Sequence, residues 1–467
     1  MRKSPFWGRK GQETMRIILA GAGKVGQTLA ENLTGEEQDV VIIDIHQEVL
    51  QTCEDNLDVL CVQGNCANAQ TLIEAGVDRA DILIATTASD EINMLCCLIG
   101  KKLGARYTIA RIRDPQYNES LLLLQEELGI DMAINPERAT ALEISRLLRY
   151  PFASEIEPFA KGHVEMVAFQ VKDGDAFVDM PLKEIGLRMR DMPKVLFAAV
   201  ERDGSITIPG GDFILRRGDR VFVDGDIATV THFFRYIGRN TGRIRNVMII
   251  GGGKICYYLS KLIMPLGMHV TIIENNPQTA AKLSETLPGA NVLLGDGTSQ
   301  DLLEEVGVRQ MDAVICATGR DEENLMAGMY ISQLGPKVIV KNNRLNYDKL
   351  IRAMGLESVV SPRHITSASI LRYIRARIAR TGTTAEKLYR LMGGKAEAIE
   401  FVARPEDPYI GVALKDLHMR KNSQVSVIVR KGKVIVPFGS DHIEAGDNVL
   451  ITVVGSGISD LNEVIRR

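Results

Sequence analysis

Short apolar runs of strand length alternate with helically spaced segments over the first 135 residues. The run "RIILA" at 16–20 meets the glycine-rich stretch "GAGKVG" at 21–26. "KVGQTLAENL" follows with apolar residues at helical spacing, and then a β-branched run, "DVVIIDI", carries Asp44 near its end. Three further runs, "DVLCVQG", "DILIATT" and "YTIARI", are separated by helix-like segments. The segment after "DILIATT" has Asp90 and Glu91 in its first turn, Lys101 and Lys102 in its last, and Gly104 beyond. That charge order suits the helix dipole, and the glycine suits a helix stop. Strands alternating with helices predict a parallel, doubly wound sheet.

The pattern then repeats. "VMIIGGG", "HVTIIEN", "NVLLGDG", "DAVICATG" and "KVIVKNN" follow the same order in the second half. Gly21 and Gly251 are 230 residues apart, as are Asp44 and Glu274, Arg111 and Lys341, and Tyr117 and Tyr347; Thr87 and Thr318 are 231 apart. Pro209 and Pro437, and Gly218 and Gly446, are 228 apart. Offsets this steady define two similar halves of about 230 residues. In each half a helical stretch ("PERATALEISRLLRY", "SPRHITSASILRYIRARIAR") leads into β-rich runs. These are "VEMVAFQV", "VLFAAVER", "SITIPGG" and "RVFVDG" in the first, and "AIEFVA", "VSVIVR", "KVIVPFG" and "NVLITVVG" in the second. Modules of roughly 70 residues bury little surface alone, so each is expected to pair with another copy. "FFRYIGRNTGRIR", 233–245, reads as a basic, solvated linker between the halves.

The glycine loops carry the candidate chemistry. Leaving a strand and opening a helix, Gly21 permits a tight turn. Gly23 lets a pyrophosphate approach the backbone, and Gly26 lets the helix pack on the sheet. The helix N-terminus offers amides to phosphates. Asp44, 18 residues after Gly26, is placed for ribose hydroxyls, which favours NAD-type or adenosine ligands over NADP. The second loop keeps Gly251 and Gly253 but has Cys256 at the third glycine position, with Glu274 at the acidic post and Pro265 interrupting the next helix. Cys256 is expected to press that helix from the sheet and make the two sites unequal. Ligands of open parallel sheets sit beyond the carboxyl ends of the strands. That adds Thr87 and Ala88, Thr318 and Gly319, and the cations Arg111 and Lys341 as phosphate partners.

Composition narrows the function. Net charge is -3 and aromatics are 5%, with Trp7 the sole tryptophan, which argues against nucleic acid. Seven scattered cysteines form no C-x-x-C pair, so a reducing compartment fits better than disulfides or zinc. No apolar run is long enough to span a membrane. "MRKSPFWGRK" lacks the apolar core of a secretory signal; residues 1–14 read as an extension upstream of a start at Met15. A dehydrogenase needs a proton-transfer group. None of the seven histidines (His46, His163, His232, His269, His364, His418, His442) has a histidine counterpart in the other half. The nucleophile-elbow and zinc-protease motifs are absent too. Binding without turnover is expected. The alternatives are an NAD-dependent oxidoreductase using the first sheet, and a DNA-binding redox regulator, against which the charge counts.

These motifs carry a resemblance to a known family. "MRIILAGAGKVGQTLAENL", "QGNCAN", "ADILIATTASDEINML" and "IARIRDPQY", with "GDGT", "CATGRDEENLMA" and "SPRHITSASIL", resemble the TrkA family, regulatory subunits of bacterial Trk potassium uptake systems. The resemblance covers Met15 to the C-terminus. It implies two Rossmann-like RCK N-domains (15–135, 245–362), each followed by crossover helices (136–160, 363–395) and a small α+β RCK C-domain (161–230, 396–467). The basic linker spans 231–244. It implies NAD+ or NADH as ligand, with ATP or ADP competing. It implies no catalysis, a homo-oligomeric ring of two or four chains, and a TrkH-type membrane partner reached from the cytoplasm. Carried onto this chain, the first site is Gly21, Ala22, Gly23, Lys24, Val25, Gly26, Asp44, Thr87, Ala88 and Arg111. The second is Gly251, Gly252, Gly253, Lys254, Ile255, Glu274, Thr318, Gly319 and Lys341.

Overall fold

The computed structural model describes residues 14–117, 125–159, 164–188, 191–239, 242–343, 351, 354–356, 358–378, 385–391, 396–455 and 464–466. The expected N-terminal extension, apart from Thr14, lies outside them, as does Tyr347. The chain divides into two compact units. One holds Met1–Asn135 with Thr366–Thr383, the other Pro136–Ile365 with Thr384–Arg467.

The first unit is built on six parallel strands: β1 (Arg16–Ala20), β2 (Asp39–Asp44), β3 (Leu60–Gln63), β4 (Ile82–Ala85), β5 (Tyr107–Arg111) and β6 (Met132–Ile134). Their order is β3-β2-β1-β4-β5-β6, so the winding reverses between β1 and β4. Among the described residues four helices connect them: α1 (Lys24–Gly35), α2 (Gln47–Asn56), α3 (Ala69–Glu74) and α4 (Asp90–Leu103). Strand β1 shows why the runs are apolar throughout. Ile17 and Leu19 enter one core and Ile18 and Ala20 the other, because helices cover both faces. Helix α4 is capped by Ser89 Oγ, which accepts from the Ile92 amide at 3.2 Å, and stops at Gly104 with φ 117°.

The second unit begins with α5 (Pro136–Arg149), followed by an antiparallel sheet. That sheet comprises β7 (Glu155–Phe159), β8 (Val164–Gln170), β9 (Leu196–Arg202), β10 (Ser205–Thr207) and β11 (Arg220–Gly225), with α6 (Leu182–Arg188) crossing between β8 and β9 and α7 (Ile227–Tyr236) after β11. Here the linker expectation fails. Residues 233–236 finish α7, and Phe233 and Phe234 are fully buried. Arg239 pairs with Asp175 at 2.5 Å instead of facing water. The two phenylalanines at one end of the stretch outweigh its charge.

A second parallel sheet follows in the same winding: β12 (Asn246–Ile250), β13 (His269–Glu274), β14 (Asn291–Leu294), β15 (Ala313–Cys316), β16 (Lys337–Lys341) and β17 (Ser358–Val360), ordered β14-β13-β12-β15-β16-β17. Among the described residues its helices include α8 (Lys254–Ile263), α9 (Pro277–Thr286), α10 (Gln300–Glu305) and α11 (Asp321–Ser332). Pro265 ends α8 in a short 3-10 turn, Met264–Leu266. After α12 (Pro362–Ile378) come β18 (Ala385–Leu391), β19 (Ala396–Val402), β20 (His418–Met419), β21 (Ser423–Arg430), β22 (Lys433–Ile435), β23 (Asn448–Val454) and β24 (Ile465–Arg466). Five of these form a sheet ordered β18-β19-β23-β21-β22.

Helix placement is reciprocal between the halves. Within the second unit, α5 packs on α8, placing Ala141, Ile144, Leu147 and Leu148 in one core with Val247 and Ile249. Within the first, Ile370, Leu371 and Ile374 of α12 join Ile17 and Leu19. Each crossover helix therefore finishes the core of the other half's parallel sheet. The two small antiparallel modules meet in the second unit. Phe159, Met166, Phe222, Ala398, Val427 and Leu450 share a core, and Gln424 Nε2 donates to the carbonyls of Phe197 and Ala198 at 3.2 and 2.9 Å. That is the pairing their size requires.

Candidate nucleotide sites

In the first unit the loop Gly21–Gly23 joins β1 to α1 where the sheet order reverses. Gly21 has φ 103°, and a Cβ there would lie 2.9 Å from Thr86 C and Thr87 N, so only glycine fits. Its amide donates to Ile43 O at 2.8 Å, which ties the loop to β2. Asp44 then organises the loop from the next strand. Oδ2 accepts from the Ala22 amide at 2.7 Å, and Oδ1 accepts from the His46 amide and approaches His46 Nδ1, both at 3.0 Å. Partial burial pulls the Asp44 pKa upward, but the amide bonds from Ala22 and His46 outweigh it and hold the carboxyl below its ordinary value. An ionised Asp44 in this position is an acceptor for ribose hydroxyls.

Gly23 behaves differently. It caps α1 with φ −69° and ψ −175°, a conformation any residue adopts, and a Cβ on it would have nothing within 4 Å. Gly253, at the start of α8, repeats this: φ −69°, ψ −177°, and no neighbour to a Cβ. Among the described residues nothing requires glycine at either position. The open space lies over the first turn of a helix, whose amides have no carbonyl one turn back to bond. Lys24, Val25 and Gly26 form that turn in one half, and Lys254, Ile255 and Cys256 in the other.

Behind each loop stands a buried asparagine that sequence reading missed. Asn93 Oδ1 accepts from Thr87 N at 2.8 Å and Thr87 Oγ1 at 2.7 Å, and its Nδ2 donates to Arg111 O at 2.8 Å. Asn324 repeats this with Thr318 N at 2.8 Å and Lys341 O at 3.1 Å. The signal was the recurrent D-E-x-N of "DEIN" and "DEEN". Arg111 and Lys341 turn onto the carbonyls of Thr87 and Thr318, and the Ala88 carbonyl accepts from Arg113 Nη2.

In the second unit the glycine loop borders a cavity of about 540 Å³. All nine second-site candidates, Gly251, Gly252, Gly253, Lys254, Ile255, Glu274, Thr318, Gly319 and Lys341, line it. Glu274 accepts from the Gly252 amide at 2.6 Å and the Asn276 amide at 2.7 Å, as Asp44 does in the first half. Asp296 and Thr298 after β14, Arg320 and Glu323 at the start of α11, and Glu137 of α5 also line the cavity and went unpredicted. Glu137 precedes the loop by over 100 residues, so only the packing of α5 on α8 brings it there. Cys256 does not distort the loop backbone: Gly251 has φ 102°, and its amide still donates to Ile273 O at 2.9 Å. The accommodation is legible in a neighbour. A Cβ at Gly26 would lie 2.0 Å from Gly21 O, a carbonyl held by Thr86 Oγ1 at 3.3 Å; the second half has Ala317 where Thr86 stands.

No group of three or more histidine, cysteine or acidic side chains suits a metal among the described residues, and no described helix is long and apolar enough to cross a membrane.

A repeated parallel sheet with a glycine loop, each followed by a small β-rich module, defines a tandem two-domain architecture, and comparison with known proteins gives it a family. The TrkA-N domain matches residues 17–136 and 247–362, and the TrkA-C domain matches 166–238 and 398–466. The chain belongs to the TrkA family of Trk system potassium uptake proteins. It is similar to a TrkA homolog of Archaeoglobus fulgidus, 34% identical over 97% of this chain and 100% of that one. It is also similar to TrkA of Vibrio alginolyticus, 32% identical over 97% and 99%. Both are Trk system potassium uptake proteins by name. Among solved structures, the GsuK channel shares the fold with TM-score 0.63 at 17% identity, covering 97% of this chain and 79% of that one. The GsuK channel bound to NAD gives 0.61, also at 17% identity, covering 97% and 79%.

Proposed function

We propose that this chain is a nucleotide-sensing regulatory subunit that gates a TrkH-type membrane potassium transporter from its cytoplasmic face. NAD+ or NADH binds at the loop of residues 21–26, adenine nucleotides compete there, and the loop of residues 251–256 forms a second nucleotide site. Residues 15–135 and 245–362 serve as nucleotide domains, and 161–230 and 396–467 as the small modules that pass the signal on. The chains assemble as a homo-oligomeric ring.

One observation carries the nucleotide reading. Gly23 and Gly253 are glycine with no need of their own, and a pyrophosphate over the helix N-terminus supplies the need. The family supports the transport role, and the NAD-bound GsuK channel, a distant structural relative, accords with the ligand. A nucleotide shifts the gate only through different affinities for two ring shapes. A tenfold preference corresponds to about 1.4 kcal/mol, and one charge-assisted hydrogen bond supplies ~1.5 to 3 kcal/mol. The helices α5 and α12 are the levers, since each leaves one sheet and completes the core of the other.

The test is calorimetric titration of the full chain with NAD+, NADH, ATP and ADP, repeated with Gly23→Asp and Gly253→Asp. Binding lost one site per substitution, with the fold intact, is expected; potassium flux with the membrane partner then follows ligand occupancy. Unchanged binding in both variants rejects the assignment.

A further inference from the structure

The two loops share a backbone, but the start of the helix beyond them differs in charge. In the first half α4 opens on Ser89, with Ile92 three residues on; in the second α11 opens on Arg320, with Glu323 three residues on. The positions correspond in space as well as in offset. Thr87 Oγ1 lies 3.2 Å from Ser89 O, and Thr318 Oγ1 donates to Arg320 O at 3.1 Å. Arg320 and Glu323 both line the second cavity. The Arg320 side chain is 78% exposed, and its Nη1 donates to Glu323 Oε1 at 2.7 Å. Of the other acidic groups lining the cavity, which include Glu137 of α5, Glu274 accepts the Gly252 and Asn276 amides, and Asp296 accepts from the amide and hydroxyl of Thr298 at 2.9 and 2.8 Å.

We infer that Arg320 selects the ligand of the second site: released from Glu323, it pairs with a free terminal phosphate, so this cavity takes adenosine di- and triphosphates in preference to a dinucleotide. The inference rests on the reading of the cavity as a nucleotide site. In a dinucleotide both phosphates are diesters with one negative charge each. A terminal phosphate approaches two charges near neutral pH and has three acceptor oxygens. A guanidinium meets such a group through two parallel hydrogen bonds. An exposed arginine–glutamate pair three residues apart on a helix is weak, so exchanging the carboxylate for a phosphate costs little. The first site has an uncharged serine at the matching place and no such discrimination.

The experiment uses the full chain with the first loop silenced by Gly23→Asp, in buffer with chelator, and titrates ADP, ATP and NAD+ by calorimetry. Arg320→Ser is expected to weaken ADP and ATP about tenfold or more and to leave NAD+ within about twofold. Glu323→Gln is expected to act in the opposite sense and tighten ADP and ATP by roughly two- to fivefold, since it removes the competitor for the guanidinium; a merely structural pair gives losses in both variants. Equal losses for all three ligands, or no loss of ADP affinity in Arg320→Ser, overturns the inference. Adding Gly253→Asp keeps the two failures apart. If ADP binding survives that substitution, the cavity is not the nucleotide site and the underlying reading fails. If binding vanishes with it yet ignores Arg320, only the selectivity is wrong.

Discussion

Asp44 ties the glycine loop to the end of β2 at the scale of one side chain. One oxygen holds the Ala22 amide at 2.7 Å and the other the His46 amide at 3.0 Å, so the carboxylate fixes the loop before any ribose arrives. Asp44→Ala is expected to weaken NAD+ and ADP at the first site about tenfold, with Asp44→Asn recovering part of the loss because its carbonyl still accepts one amide. Calorimetry of both variants checks this, and unchanged affinity in Asp44→Ala removes the residue from the site. The pH dependence follows from the lowered carboxyl. Its contribution to stability is present above the ordinary aspartate range and is lost as pH falls through the depressed folded value. The acidic posts and glycines were readable because each rests on a rule that few residue types satisfy. Asn93 and Asn324 were as visible, repeated in "DEIN" and "DEEN", but asparagine in a helix has many ordinary explanations. Glu137 was not readable at all, since nothing local says that α5 covers the second loop rather than the first.

Between the glycine loop and its helix, the halves have solved one packing problem in two ways. The first has Gly26 beneath Gly21 O, with Thr86 Oγ1 holding that carbonyl at 3.3 Å; the second has Cys256 with Ala317. Gly26→Cys alone is expected to destabilise by ~1–3 kcal/mol, the range for overpacking, and to weaken nucleotide binding at the first site. Adding Thr86→Ala frees the carbonyl and should restore part of both. Urea unfolding with parallel titration checks it; a double variant no better than the single one shows that the pairing of Cys256 with Ala317 is incidental. Cys256 leaves the turn at Gly251 intact, and the neighbour that differs along with it, Ala317, lies 61 positions away, just past the end of β15, where one copy of the loop cannot reveal it. Other elements were hidden by length or composition. Strands β6 and β17 have three residues each, too few to establish a period of two. The end of α7 was hidden by the arginines that follow Phe233 and Phe234, whose burial decides the structure.

For the whole molecule, the pairing of the two small modules concentrates an unusual charge problem at their contact. Asp224 on β11 is fully buried, and neither carboxyl oxygen meets hydrogen-bond geometry with a described neighbour. Its strand partners there are Met166 on β8 and Leu196 on β9. The Ser426 hydroxyl of the other module, bonded to Thr452 Oγ1 at 2.7 Å, relieves the burial only in part. Burial pushes the Asp224 carboxyl up to about 8, so at neutral pH it holds its proton. The sign follows from linkage. The unfolded chain releases this proton near the ordinary aspartate value and the folded protein releases it near 8. The contribution is therefore fully present below the lower value, declines as pH rises between the two, and is gone above about 8. Asp224→Asn keeps the shape and cannot ionise, so it should be more stable than the parent at pH 8.5 and should flatten the decline between pH 6 and 8.5. Urea unfolding of both proteins across that range measures the difference. Parallel profiles would show that Asp224 reaches a partner or water in solution. A steeper decline in the parent would make the contact between the modules a pH-sensitive joint of the molecule.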